Sequence, residues 1–177
     1  RTMFIDEKYG IQIHADLNCS VSTATLRPQD LLPVYLNIIR DTPEYIQLSQ
    51  TIPSHVFEND DADWWCNEGN EFVFEVVDVL NSYAPYGFFF SSTEGNGSDF
   101  GYWVVAELIN DPDVVISILK HQLNPVVSDL EQYRKECGNI FDSFETVDDI
   151  LSDFNYWKEH NEIIFQQIQD ANSYSIL

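Results

Sequence analysis

The run Glu58-Asn59-Asp60-Asp61-Ala62-Asp63-Trp64-Trp65 sets four carboxylates beside two indole rings within eight positions. Guanidinium groups both pair with carboxylates and stack on aromatic faces, so a run of this kind suits the capture of Arg and Lys side chains. Immediately downstream, Glu68, Glu71, Glu75 and Asp78 recur at helical spacing. They predict an acid stripe on a helix from about Asn67 to Tyr83, whose other side carries Phe72, Val73, Val76, Val77 and Leu80. We therefore expect Glu58, Asp60, Asp61, Asp63, Trp64, Glu68, Glu71, Glu75 and Asp78 to form a partner-binding surface. A secondary acidic cluster follows at Asp142, Glu145, Asp148, Asp149 and Asp153. The competing reading of the first run is a solvated loop whose tryptophans plug the core, because charge runs are usually only solvated faces.

The charge of the whole chain favours the binding reading. Thirty Asp and Glu face eight Lys and Arg, giving a formal net charge of −22 and a pI near 4.1. Between Arg40 and Lys120 no Lys or Arg occurs, while residues 41 to 119 hold 15 carboxylates. Such a balance opposes folding by self-repulsion, repels nucleic acid and anionic membrane, and steers the protein toward basic surfaces. Direct nucleic-acid binding is disfavoured, since the interval offers no cation to meet phosphate.

Other chemistry finds less support. Cys19, Cys66 and Cys137 are odd in number, far apart and in no C-x-x-C pair, which argues against a disulfide framework and against a cysteine zinc site. His14, His55, His121 and His160 lie in no recognised catalytic frame, and His14 with Cys19 is a chance-level metal pair. The loop Glu94-Gly95-Asn96-Gly97-Ser98-Asp99 invites calcium or an anion nest, yet it lacks the calcium-loop spacing and is followed by no Gly-Lys-Ser/Thr. A plain hairpin turn is its default reading. With thirty acids some carboxylate pair always exists, so a glycosidase or nuclease pair is uninformative on its own. No catalytic residue, metal ligand or cofactor is assigned.

The elements that must position these residues are read from periodicity and punctuation. With 44% hydrophobic and 14% aromatic residues, 177 positions suffice for a real core in one domain. A subdivision into 1–110, mixed α/β, and 111–177, helical, is the alternative. Tyr9 to His14 alternates as a first strand. Leu31, Leu32, Tyr35, Ile38 and Ile39 mark a helix over Arg27 to Arg40, with Thr25 as N-cap and Pro33 expected to kink or delay it. Thr42-Pro43 starts a short helix through Leu48, and Ile52 to Phe57 reads as extended or irregular.

Phe88-Phe89-Phe90 and Phe100 to Val105 flank a Gly/Asn/Ser-rich loop and predict a hairpin with a long loop. Asp111-Pro112 and Asn124-Pro125 predict helices over 112–122 and 125–137, closed by Gly138, with a strand alternative at Val114-Val115-Ile116. Thr146-Val147-Asp148-Asp149 resembles a capping box and opens a helix to about Ala171. Its expected buried face is Ile150, Leu151, Phe154, Trp157, Ile164, Phe165 and Ile168. The fold class is α+β, a small antiparallel sheet including a hairpin near 86–106, packed with several helices and followed by a helical C-terminal part. The longest apolar runs fall far short of the ~18 residues of a membrane span, and no basic n-region opens the chain. Met3, preceded by Arg1 and Thr2, reads as the native start, and the expected compartment is the cytoplasm of a bacterial host.

In size, charge and mixed α/β makeup the chain resembles the acidic inhibitors by which phages and conjugative elements disarm host defence, the antirestriction and anti-CRISPR proteins that mimic DNA. The stretch Ala84 to Trp103, APYGFFFSSTEGNGSDFGYW, is similar to segments of small proteins carried by bacterial mobile elements. Neither resemblance transfers a functional residue. The first implies an inhibitor whose partner is a basic protein, a nucleic-acid-binding enzyme of host defence. The alternatives are an immunity protein that neutralises a basic nuclease toxin and a small hydrolase. Helical carboxylates at ~4.5 to 6 Å along the axis are sparser than phosphates at 3.4 Å per DNA strand. One stripe is too thin a mimic, and the 58–63, 68–78 and 142–153 segments would have to act together.

Overall fold

In a computed structural model, residues 3–58 and 61–175 are described, with their side chains except those of Phe165, Tyr174 and Ser175. The architecture is α+β: helices dominate, with one two-stranded and one three-stranded antiparallel sheet. The chain divides into two compact units, Arg1–Val105 and Ala106–Leu177. None of the described helices is long and apolar enough to cross a membrane.

In the first unit, β1 (Phe4–Ile5) pairs with β2 (Gln12–Ile13). Asp6 closes the turn between them, its carbonyl accepting from Gly10 N–H and its carboxylate from Tyr9 N–H. Tyr9 and Gly10, expected in a strand, lie in this turn because Gly10 takes φ +70°. After β3 (Ser20–Ser22) comes α1 (Pro28–Ile38). Arg27 stands at its N-cap, while Thr25 Oγ1 accepts from Arg27 N–H and donates to Asp30. Pro33 does not end α1. A proline inside a helix costs ~3 kcal/mol, but Leu31, Leu32, Tyr35, Leu36 and Ile38 are buried around it, each contributing ~1.5–3 kcal/mol.

Thr42 caps α2 (Pro43–Thr51) by accepting from Tyr45 N–H. The segment expected to be irregular forms a short turn of helix, α3 (His55–Glu58), which buries Val56. Then follow α4 (Ala62–Trp64), a π-helical turn (Trp65–Gly69) and α5 (Asn70–Ser82), which packs on α1. β4 (Phe88–Thr93) and β5 (Asn96–Val104) form the hairpin, and the sheet order is β3-β5-β4. The long loop predicted over 91–99 is mostly strand. Only Glu94 and Gly95 turn, with Gly95 at φ +93°.

Aromatic rings join sheet and helices. Tyr102 meets Phe4 and Phe90 edge to face at 5.2 and 5.0 Å, and Tyr35 of α1 meets Phe90 at 5.1 Å. Tyr102 also donates its hydroxyl to the Leu80 carbonyl of α5 at 2.7 Å. β4 is a sheet edge, and edges with unpaired backbone groups invite further strands. Asn81 covers this one: its amide donates to Phe90 O at 3.2 Å and accepts from Phe90 N–H at 2.7 Å. One side chain thereby replaces a neighbouring strand.

In the second unit, Asp111 caps α6 (Pro112–Leu123), accepting from Asp113 and Val114 N–H. Val114, Val115, Ile118 and Leu119 are buried at helical spacing, which excludes the strand alternative. Asn124 does not start the next helix. It ends α6 in the left-handed conformation, φ 46° and ψ 52°, where asparagine is tolerated better than most residues. α7 (Val127–Cys137) begins two residues later than expected and is followed by a 3₁₀ stretch, Gly138–Ser143. Asn110 donates to the Phe141 and Phe144 carbonyls at 2.7 and 2.6 Å, tying that stretch down.

The capping box holds: Thr146 Oγ1 accepts from Asp149 N–H, and Asp149 accepts from Thr146 N–H. It opens α8 (Val147–Ser175). Ile150 and Phe154 of the expected face are buried, with Leu151 and Trp157 half-buried. Ile164 and Ile168, also expected inside, are 52% and 53% exposed, and the Phe165 side chain lies outside those described. A helix of ~43 Å outruns neighbours of ~18 Å and ~16 Å.

Two comparisons test this account. The Tyr35 hydroxyl is buried and finds no hydrogen-bond partner among the described residues, so Tyr35→Phe is expected to be neutral or to stabilise by up to ~1 kcal/mol, whereas Tyr102→Phe destabilises by ~1 kcal/mol. Urea midpoints that rank the two the other way contradict the assignment. Asn81→Ala strands both polar groups of Phe90 and is expected to destabilise by ~1–3 kcal/mol in the same measurement.

Candidate acidic binding surface

The carboxylates of the first unit are carried by the run α4, π-turn and α5, and local chemistry explains its shape. Asp61 starts α4 by accepting from Trp64 N–H at 3.1 Å, and its carboxylate lies 3.5 Å from His55 Nε2. Asp60 falls outside the described residues. Trp65 is buried and donates its indole N–H to the Val56 carbonyl at 3.2 Å. Trp64 is half-buried, stacked on Phe72 at 5.8 Å and edge-on to Trp65 at 4.8 Å.

Both rings lie against Gly69, where an added Cβ would approach Trp65 to 2.7 Å and Trp64 to 3.0 Å. The expectation that these aromatics face a partner beside the carboxylates is therefore corrected for Trp65 and narrowed for Trp64. Their π faces are used in packing, because a backbone without a side chain at Gly69 lets two indoles close over it.

The acid stripe itself stands. Glu71, Glu75 and Asp78 are exposed on α5 at helical spacing, opposite the buried Val73, Val76 and Leu80. Glu68 is exposed too, but in the π-turn. That turn closes through i→i+5 bonds, so each residue advances less than in an α-helix and Glu68 is offset from the line of the other three. Glu58 and Asp63 are also exposed. Among the described residues none of Glu58, Asp63, Glu68, Glu71, Glu75 and Asp78 has its carboxylate in an ion pair or side-chain hydrogen bond. Along one edge of the stripe stands an aromatic that sequence reasoning passed over: Phe74, 65% exposed, one turn from Glu71 and from Asp78. Its place on the acid side follows from the same 100° count that defines the stripe.

The secondary cluster belongs to the other unit and is partly committed to structure. Asp149 accepts from the Glu145 and Thr146 N–H groups, which hold its carboxyl below the usual carboxylate range. Asp153 accepts from the Tyr133 hydroxyl at 2.6 Å. Asp142, Glu145 and Asp148 remain exposed and free of such duties. The three acidic segments thus fall into two compact units, the 58–63 and 68–78 segments in one and 142–153 in the other.

The remaining candidates are occupied by the fold. His14 has both ring nitrogens engaged, Nε2 with Asp41 at 2.6 Å and Nδ1 with the Arg40 guanidinium at 2.8 Å. An arginine N–H needs an acceptor, so Nδ1 offers its lone pair and Nε2–H donates to Asp41. In the 94–99 turn Asp99 accepts from the Ser20 hydroxyl and the Asn96 side chain accepts from Ser98, while Glu94 is exposed. The three cysteines are free thiols. No group of His, Cys, Asp and Glu among the described residues is placed to hold a metal. A cleft of ≈ 310 Å³ in the first unit, walled by Leu36, Asn37, Arg40, Tyr45, Ile52 and Phe57, has no carboxylate in its lining.

Gly69→Ala tests the packing that shapes the surface. At φ −60° the backbone accepts any residue, and alanine favours a helix by up to ~1 kcal/mol. The clash with Trp65 is expected to outweigh this, with a net loss of ~1–3 kcal/mol in chemical unfolding. Comparison with protein-family models, with curated proteins and with solved structures finds no match to this chain.

Proposed function

We propose that the protein is an acidic inhibitor that binds a basic, nucleic-acid-binding surface of a host defence enzyme and excludes nucleic acid by competition. The observation that carries this reading is the row of exposed carboxylates on α5 and the turn before it, none of them in an ion pair or side-chain hydrogen bond among the described residues. Natural surfaces usually intersperse both signs. Here residues 41 to 119 contain no Lys or Arg at all, so the stripe and the α4 carboxylates keep their full field for a partner.

Phe74 adds what phosphate lacks. A ring along one edge of a carboxylate row, one turn from Glu71 and from Asp78, gives a guanidinium or ammonium group a face to rest on, a contact of ~0.5–2 kcal/mol. The carboxylates steer the encounter and set its register, and the ring favours Arg over a diffuse counter-ion cloud. Glu71, Glu75 and Asp78, at ~6 and ~4.5 Å intervals along α5, supply part of a phosphate-like field. Glu58, Asp61, Asp63 and Glu68 widen it within the same unit.

Electrostatic recognition predicts steep salt dependence. The immobilised chain is expected to retain a basic protein from bacterial lysate at about 50 mM salt and release it by about 500 mM, where the screening length falls to a few ångströms. The retained protein should lose its nucleic-acid binding when the chain is added in equimolar amount. The triple variant Glu71→Lys, Glu75→Lys, Asp78→Lys should weaken retention by about tenfold or more, and Phe74→Ala by a smaller factor. Reversal at the exposed Glu107 and Glu131 should not. Retention indifferent to salt, or equal loss in both sets of variants, rules out the reading.

A further inference from the structure

The second half of α8 is a surface of a different kind. Trp157 packs against Tyr133 at 5.4 Å and Phe154 at 5.7 Å, with its indole N–H on Glu136 at 2.6 Å. From Glu162 to Ser173 every described side chain is exposed. Three of these are isoleucines, Ile163, Ile164 and Ile168, at 56%, 52% and 53% exposure, and Tyr156 about two turns earlier is 61% exposed. At 100° per residue these four fall within an arc of ~140°, which also holds the exposed His160, in ring contact with Tyr156 at 4.0 Å, and Gln167. Glu159, Glu162 and Asp170 all lie along one flank of that arc, and no Lys or Arg follows Lys158. A helical stretch whose described side chains are all exposed gains little from tertiary burial, and three isoleucines on one exposed stripe exceed what solubility alone favours.

We propose that this half of α8 is a docking helix for a partner protein whose groove has an apolar floor and Lys or Arg along one rim. The isoleucines and Tyr156 fill the floor in the manner of helix-in-groove recognition, and Glu159, Glu162 and Asp170 set the direction in which the helix lies. Charge selects this occupant over the other two. A second copy would bring chains of net charge −22 together, with acidic flanks and no cation beyond Lys158 to offset them. A membrane surface is met by amphipathic helices whose polar side is rich in Lys and Arg, the opposite of this one. The site is independent of the α5 stripe.

The test uses the full chain and a synthetic probe: an amphipathic helical peptide of about 18 residues built from Leu and Lys, beside a scrambled peptide of the same composition that has no apolar face. The readout is the ratio of the two affinities, which cancels attraction to acid at large. The amphipathic peptide should bind about tenfold or more tighter than the scrambled one. The ratio should fall toward one in the variant Ile163→Ser, Ile164→Ser, Ile168→Ser, whose thermal unfolding is unchanged because all three side chains are exposed. It should persist in the Glu71→Lys, Glu75→Lys, Asp78→Lys variant, so failure here and failure of the inhibitor reading are separate results. A ratio near one for the unmodified chain, or a ratio untouched by the isoleucine changes, overturns the proposal. So does a dimer in sedimentation that those changes dissolve, or their abolition of binding to phosphatidylcholine vesicles.

Discussion

Self-repulsion is the constraint that everything else in this protein answers to. Thirty carboxylates and eight cations are shared almost evenly between the units, 16 against 4 in residues 1–105 and 14 against 4 in residues 106–177. Neither unit can use ion pairs as a scaffold, so each is held by apolar and aromatic contact. In the first unit Phe4, Tyr35, Phe90 and Tyr102 join sheet, α1 and α5. In the second, Tyr133, Phe141, Phe154 and Trp157 join α7, the 3₁₀ stretch and α8. Exposed ion pairs such as Arg134–Asp113 at 2.8 Å contribute little beside these clusters.

Many carboxylates are instead put to use as hydrogen-bond acceptors. Asp6 closes a turn, Asp61, Asp111 and Asp149 cap helices, Asp41 orients His14, and Asp99 and Asp153 take hydroxyl protons. An acceptor at a helix N-terminus meets unpaired N–H groups and the positive end of the helix dipole, so a negative charge there stabilises rather than strains. Set against these, the carboxylates of α5 are conspicuous for making no such bond. Asp142, Glu145 and Asp148 are free of such bonds too, so what sets the α5 acids apart is their alignment on one helix face, whereas Asp149 and Asp153 of the secondary cluster are engaged within the fold.

Several features of that site were readable along the chain and others were not. The stripe Glu71, Glu75, Asp78 follows from helical periodicity, and so does Phe74 beside it. The fate of the tryptophans does not: Trp64 and Trp65 sit next to carboxylates in sequence, yet Gly69 and Phe72 draw them inward. The π-turn that offsets Glu68 was likewise invisible, because a single extra residue in a turn leaves the pattern of apolar and polar positions almost unchanged. Asn81 is an ordinary helical asparagine until β4 is laid beside it.

Local chemistry determined what could be decided within three or four residues. The caps at Thr42, Asp111 and Thr146/Asp149 and the helical faces of α1, α5 and α6 rest on backbone bonds and side-chain periodicities of that range, and β-favouring runs flanking a Gly-bearing turn made the hairpin legible although its pairs reach from Phe88 to Val104. Tertiary structure decided whatever depends on a partner distant in the chain. Pro33 survives because the burial around it outweighs one lost hydrogen bond, and the amphipathic pattern of α8 runs on into a stretch whose described side chains are exposed. Periodicity marks an apolar face without saying whether a surface exists to cover it. For Ile150 and Phe154 the second unit supplies that surface, and for Ile164 and Ile168 it does not.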